Sequence, residues 1–182
     1  MILYIIYNAD LLEITDNSKE EALGYVDDVV LMATGVDFEE TSKRLENMMT
    51  RERGGLEWSR DHNSNFEVSK SVVMHLTRRT QENPEEDKGR IPLDRPPLTI
   101  LGEVIKEVKM FKYLGVVVDS NLRCNAQAQR GIANATKWIL QFRWLTKPST
   151  GVKAKLMRQL YLSVAIPKMT YGLDIWYTPT NQ

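Results

Sequence analysis

Cysteine is almost absent from this chain. Cys124 stands alone among 182 residues, which excludes an internal disulfide and any zinc site built on several cysteines, and it fits a reducing compartment. Histidine is nearly as scarce. His62 and His75 are far apart, with no cysteine or acidic cluster at ligand spacing, so no zinc centre is expected. No apolar run approaches the roughly 18 residues of a membrane helix. The N-terminal "MILYIIYNADLLEI" breaks at Asn8 and Asp10 and lacks the basic region of a signal peptide. The expectation is an intracellular protein, in nucleus or cytoplasm, with no membrane partner. Glycine and proline are not in excess, and 42% of residues are hydrophobic. That is enough for one domain with a core, or one domain and a small appendage.

The zero net charge hides an asymmetry. Residues 1–97 carry 12 Lys and Arg against 20 Asp and Glu, whereas residues 98–182 carry 12 against 4. Beyond Asp119 the only acid is Asp174, beside nine basic residues. A basic segment on an otherwise acidic chain suggests a polyanion partner. Mutual attraction of the two halves is the other reading.

Residues 78–97, "RRTQENPEEDKGRIPLDRPP", hold four of the seven prolines and read as a flexible loop. Before it, Glu20 to Val26 pairs with the apolar run Val29 to Ala33 as a hairpin. Asp37 is a good N-cap for a helix striped by Phe38, Leu45 and Met48 or Met49, with Glu40 three residues on as in a capping box. Gly54-Gly55 should interrupt that helix. Phe66, Val68, Val72, Val73 and Leu76 read as strand material around a turn at Ser69-Lys70. After the loop, "PLTILGEVI" and "VKMFKYLGVVVD" read as two strands. Ala128, Ile132, Ala135, Ile139 and Phe142 then mark one face of a long helix closed by Pro148. Val152, Leu156, Leu160 and Val164 stripe a second helix stopped near Pro167, leaving Lys153, Lys155 and Arg158 off the stripe.

The most pointed feature is "GYVDDVVLMATG", where Asp27 and Asp28 fall together between two apolar runs. Paired carboxylates at a turn are hard oxygen donors suited to Mg²⁺, and two-metal phosphoryl transfer needs carboxylates to hold its ions. Aspartate is also common in turns for its own reasons, and the dipeptide by itself leaves both readings open.

The wider pattern resembles a known family. "YVDD" resembles the metal-binding signature of reverse transcriptases. "NFEVSKSVVMHL" is similar to the lysine-bearing segment that follows it, and "FKYLGVVVD" to the palm segment supporting the primer strand. The stretch from "ANATKWILQFRWL" to "YGLDIW" looks like the helical thumb of the non-LTR (LINE-like) branch, and "ILYIIYNADLLEI" like the helix after its template-contacting Ser-Pro segment. The resemblance implies an α+β fold: a partial palm of antiparallel strands with packed helices, followed by a helical thumb. It divides the chain into a palm portion at 1–77, the loop at 78–97, palm strands at 98–119 and the thumb at 120–182.

By the same resemblance, Asp27 and Asp28 are the catalytic metal ligands and Mg²⁺ the cofactor of the complete enzyme. Tyr25 and Val26 lie beneath the primer end, and Lys70 donates a proton to departing pyrophosphate. Phe111, Tyr113, Leu114 and Gly115 form a primer grip. Lys137, Arg143, Lys153, Lys155 and Arg158 meet duplex phosphates, and Trp138 and Trp144 either stack on bases or pack in the core. The implied partners are an RNA template, a DNA primer, dNTPs and the fingers and remaining palm of the same polyprotein. By this resemblance the fingers, the Ser-Pro segment and the first palm aspartate are expected to be missing from this chain, Asp10 being misplaced for that ligand, and a ribonuclease H domain is not expected either. The expectation is therefore a reverse-transcriptase fragment that does not polymerise DNA alone. The alternatives are a non-enzymatic remnant that binds nucleic acid or docks on a partner, and a decayed fragment of low solubility.

Overall fold

The structure, a computed structural model, describes residues 2–82, 89–146 and 151–177. It is mixed α+β, built from short strand pairs and helices that form two compact units: Met1–His75 with Arg79–Val108, and Leu76–Arg78 with Lys109–Gln182.

The first unit opens with two short helices, α1 (Ile2–Tyr7) and α2 (Ala9–Leu12), broken at Asn8. Strands β1 (Glu20–Tyr25) and β2 (Asp28–Ala33) follow as the expected hairpin, in register from Glu20 opposite Ala33 to Tyr25 opposite Asp28. Helix α3 (Phe38–Thr50) starts where the capping pattern placed it. Asp37 Oδ1 accepts from the Glu40 N–H at 2.8 Å. The return bond of the box is displaced by one residue: the Glu40 carboxylate accepts from the Val36 N–H, not from that of Asp37. Gly54 caps a further helix, α4 (Gly55–Asp61), that carries Trp58 inward. Leu11, Ile14, Met48 and Trp58 form the main core, with Val29 and Leu31 of β2 packed on it.

Downstream, a 3₁₀ turn (Val68–Lys70) leads into β3 (Val72–Val73). The strand material around Ser69-Lys70 is thus mostly turn and connection. Only Val72 and Val73 find a partner, in parallel with Lys106 and Glu107. Within the segment read as a loop, β4 (Thr80–Glu82) pairs with β5 (Arg90–Pro92); residues 83–88 lie outside the described residues.

"PLTILGEVI" is a hairpin, β6 (Thr99–Ile100) with β7 (Glu103–Val104), followed by β8 (Lys106–Glu107). "VKMFKYLGVVVD" is likewise two strands, β9 (Met110–Tyr113) and β10 (Val116–Asp119), in the second unit. Each had been expected to run as one strand. In both, a Leu-Gly pair takes positive φ at both positions, 54° and 80° at Leu101-Gly102, 46° and 89° at Leu114-Gly115. That conformation matches the twist of a two-residue hairpin turn. Val73, Leu98 and Ile105 make a smaller core beside the first, with Leu45 touching both. His75, its ring 4.5 Å from that of Phe38, is buried, and burial pushes its pKa below the usual histidine value.

In the second unit, α5 (Asn125–Leu145) is the long helix, and its packed face is rotated from the expected one: Ala128, Ala135 and Phe142 of that stripe are half-buried, but its isoleucines are not. Ile132 and Ile139 are 67% and 58% exposed. The inward face runs through Gln127, Gly131, Asn134, Trp138 and Phe142. Gly131 lies on this face beside the Met169 carbonyl, which a Cβ would meet in ordinary contact at 3.4 Å. Aromatic contacts extend the same face, with Trp138 under the Lys168 ammonium and the Phe142 ring 6.1 Å from that of Tyr161.

Pro148, the expected stop, lies outside the described residues. The second helix begins at Ala154, so Val152 precedes it. Helix α6 (Ala154–Leu160) widens into a π-turn over Tyr161–Ala165, and α7 (Ile166–Met169) carries the chain through Pro167 instead of stopping there. Proline cannot bond the carbonyl four residues back and crowds it; a π-turn just upstream relieves both problems. A last turn, α8 (Leu173–Trp176), ends the described chain.

Candidate functional site

The β1–β2 hairpin places the paired acids at its tip. Val26 and Asp27 are the two loop residues, and Asp28 is the first residue of β2, opposite Tyr25. Tyr25, Asp27 and Asp28 are exposed. Among the described residues no ion pair or side-chain hydrogen bond engages either carboxylate, so both remain available to an external cation.

Val26 has φ of +58°, while Asp27 stays at negative φ. The first position of such turns favours glycine or asparagine, and a β-branched residue there is a steric outlier. Strain of this kind, about 1–3 kcal/mol, persists only where surrounding structure enforces it. The enforcing contacts come from α2 and from Asn8 just ahead of it. Asn8 Nδ2 donates to the Val26 carbonyl at 2.6 Å, and Leu12 packs so tightly on Gly24 that an added Cβ would meet Leu12 Cδ2 at 2.9 Å. The base of the hairpin is fixed separately. Arg51, at the end of α3, pairs with Glu20 at 2.8 Å and Asp16 at 3.0 Å and donates to the Ile14 carbonyl.

Lys70 sits on the 3₁₀ turn with its ammonium 2.6 Å from Glu67 Oε2. The Lys70 hydrogen bond holds the Glu67 carboxyl below its ordinary range. No described contact brings Lys70 to the Asp27-Asp28 turn.

In the second unit, Phe111, Tyr113, Leu114 and Gly115 lie together on the β9–β10 hairpin, with Phe111 and Leu114 partly exposed. Its turn is held by residues that no sequence motif pointed to. Tyr171 Oη donates to the Leu114 carbonyl at 2.8 Å and Arg130 Nη1 to the Gly115 carbonyl at 3.2 Å. Asp119 receives the backbone N–H groups of Asn121, Arg123 and Cys124. Burial alone would raise the Asp119 carboxyl, but these three donors outweigh it and lower its pKa. The legible signals were Tyr171 beside Gly172, and an aspartate ending an apolar strand.

Lys137 and Arg143 are exposed on α5, and Lys155 and Arg158 on α6, with Lys153 just ahead of it. Trp138 packs against Phe142 and Lys168, while Trp144 is 75% exposed.

No family model and no solved structure matches the chain. Among curated proteins it aligns over 180 residues, at 21% identity, with a Drosophila melanogaster protein described as "Probable RNA-directed DNA polymerase from transposon BS". The chain is distantly similar to a transposon polymerase. The alignment takes in 96% of this chain but 18% of that protein, so the chain spans less than a fifth of its relative's length.

Polymerases of this kind use Mg²⁺, and the fit of the ion here is partial. Asp27 and Asp28 supply two hard oxygen donors on an open tip, the chemistry Mg²⁺ accepts alongside water and phosphate. Among the described residues no group of three or more acidic, histidine or cysteine side chains gathers to complete a site. No helix among the described residues is long and apolar enough to cross a membrane.

Proposed function

We propose that this chain is a reverse-transcriptase segment of the non-LTR retrotransposon type, with the Asp27-Asp28 hairpin as its share of the catalytic metal site. The observation that carries the reading is the hairpin tip, where two unengaged carboxylates follow a strained Val26 within a stretch distantly similar to a transposon polymerase.

In this reading Asp27 and Asp28 hold Mg²⁺, which when bound supplies charge neutralisation at the phosphates of a dNTP. Tyr25 and Val26 form the surface under the primer end. The Leu114-Gly115 turn, with Phe111 and Tyr113, grips the primer strand. Lys137, Arg143, Lys153, Lys155 and Arg158 bind the backbone of the template–primer duplex. Lys70 exchanges Glu67 for the leaving pyrophosphate. In palm and thumb terms, β1–β2 with its helices and β9–β10 are palm, and α5 to α8 are thumb.

Two carboxylates bind Mg²⁺ weakly, so polymerisation requires a further ligand from another part of the polyprotein. Purified chain with an RNA template, DNA primer, dNTPs and Mg²⁺ is expected to give no extension, yet to bind Mn²⁺ at Asp27 and Asp28 and to bind the hybrid. Extension that Asp27→Ala abolishes would show a self-sufficient enzyme. Failure to bind either Mn²⁺ or the hybrid would remove the reading altogether. A second reading is favoured by two observations, that no third ligand gathers among the described residues and that the basic helices are well exposed: a nucleic-acid-binding remnant, which predicts hybrid binding with no Mn²⁺ at the hairpin.

A further inference from the structure

We propose that Asn8 is a positioning residue for the Asp27-Asp28 turn, a tether that holds Val26 in its left-handed conformation and so aims the two carboxylates. What the turn holds rests on the reading above; the tether does not.

Asn8 sits in the break between α1 and α2 and is only 7% exposed. Its Nδ2 donates to the Val26 carbonyl at 2.6 Å, across 18 residues of chain. Its Oδ1 is buried without a partner. A side chain there only to fill space would be apolar, because an unsatisfied buried oxygen opposes folding. What the amide supplies over a leucine of similar size is the one donor that reaches Val26. Aspartate would lack that donor and set a second oxygen against the carbonyl.

The platform is firm enough for a tether to act. The Asn8 N–H donates to the Tyr4 carbonyl, and its own carbonyl accepts from Leu11, which is 2% exposed in the core. The adjacent Tyr7 donates to the carbonyl of His62, the residue that follows α4. Leu12 holds α2 onto β1 at Gly24. The turn itself carries a β-branched residue at +58°, a conformation it would leave if released. Fixing the Val26 carbonyl fixes the peptide plane leading into Asp27, and with it the direction of both acids.

The test is NMR on the full chain with Mn²⁺ as the probe. In the wild type, the Asn8 side-chain amide protons are expected to show contacts to Val26 and Asp27, and Mn²⁺ to broaden the Asp27 and Asp28 amides. In Asn8→Leu the chain stays folded, the Asp27 and Asp28 amide signals move, and Mn²⁺ affinity falls about tenfold, as for lost outer-shell support. Adding Val26→Gly should bring affinity back to within about twofold, since glycine adopts positive φ unaided. A purely space-filling role for Asn8 would not be rescued this way. Unchanged Asp27 and Asp28 amides in Asn8→Leu would overturn the proposal. So would missing Asn8 contacts in the wild type, a result that needs no variant to fold. If Mn²⁺ broadens nothing in the wild type, the metal reading fails, while the amide shifts in Asn8→Leu still decide the tether.

Discussion

Replacing Arg51 by methionine should cost the first unit a large part of its stability, and replacing Glu20 as well should restore it. The Glu20 side chain is 2% exposed and that of Arg51 13%, with Nη2 to Oε2 at 2.8 Å and Nη1 to Oε1 at 3.4 Å. Asp16, the other acid on Arg51, is 71% exposed and contributes little. Removing one member of a buried pair strands the other's charge and costs about 3–5 kcal/mol. That is a large part of the roughly 5–15 kcal/mol by which domains are stable. Removing both members is often neutral or stabilising, so Glu20→Met with Arg51→Met should recover nearly all of the loss. Urea unfolding, followed by circular dichroism and by the Trp58 indole NMR signal, measures all three.

The pH dependence adds a second check. Burial would raise the Glu20 carboxyl, but the Arg51, Asp16 and Asn17 donors outweigh it and hold it below 4.5. A carboxylate depressed in the folded state contributes stability above its unfolded pKa and loses it as pH falls through the folded value. The wild type should therefore weaken on acidification below about pH 4.5. In Arg51→Met the main donors that lower Glu20 are gone, so this loss of stability on acidification should be smaller than in the wild type. A loss under about 1 kcal/mol in the single variant, or a double variant no better than the single, would refute a buried, uncompensated charge as the cause.

Four further outcomes follow from the geometry. Asp27→Asn and Asp28→Asn should each change stability by no more than about 0.5 kcal/mol, because neither carboxylate has a structural partner, while Mn²⁺ binding measured by electron paramagnetic resonance is lost. Asp37→Ala removes the bond to the Glu40 N–H and should destabilise by about 1 kcal/mol in thermal melts. Glu40 is lowered to about 2, first by the Val36 N–H and then by Arg44. Its contribution should be complete above pH 4.5 and vanish as pH falls toward 2, with the carboxyl ¹³C titration giving the midpoint. Charge reversal of Lys153, Lys155 and Arg158 together should weaken binding of an RNA–DNA hybrid and flatten its salt dependence by about two to three units of log–log slope.

Local chemistry was legible in the residues themselves. The Asp37 cap of α3, the β1–β2 hairpin around the acids and the interruption at Gly54-Gly55 each depend on neighbours a few positions apart, and each was readable without the fold. The Leu-Gly turns were missed because leucine at positive φ carries no composition signal; glycine after leucine was the only cue. The distant similarity to a transposon polymerase likewise agrees with the family that the motifs resemble.

Tertiary structure decided which of several locally equivalent choices prevailed. Period alone offered α5 an apolar face through Ile132 and Ile139, yet both are exposed and the helix packs through Trp138 and Phe142, whose rings meet Lys168 and Tyr161. Pro167 reads as a helix stop until a π-turn upstream absorbs its missing donor. Asn8 reads as a break in an apolar run until the hairpin brings Val26 to its amide. Sequence determines which groups are present and how neighbours along the chain pair. Which of them meet across long separations depends on which side chains find a surface to pack on and whose polar groups must be satisfied once buried. Those conditions exist only in the packed chain.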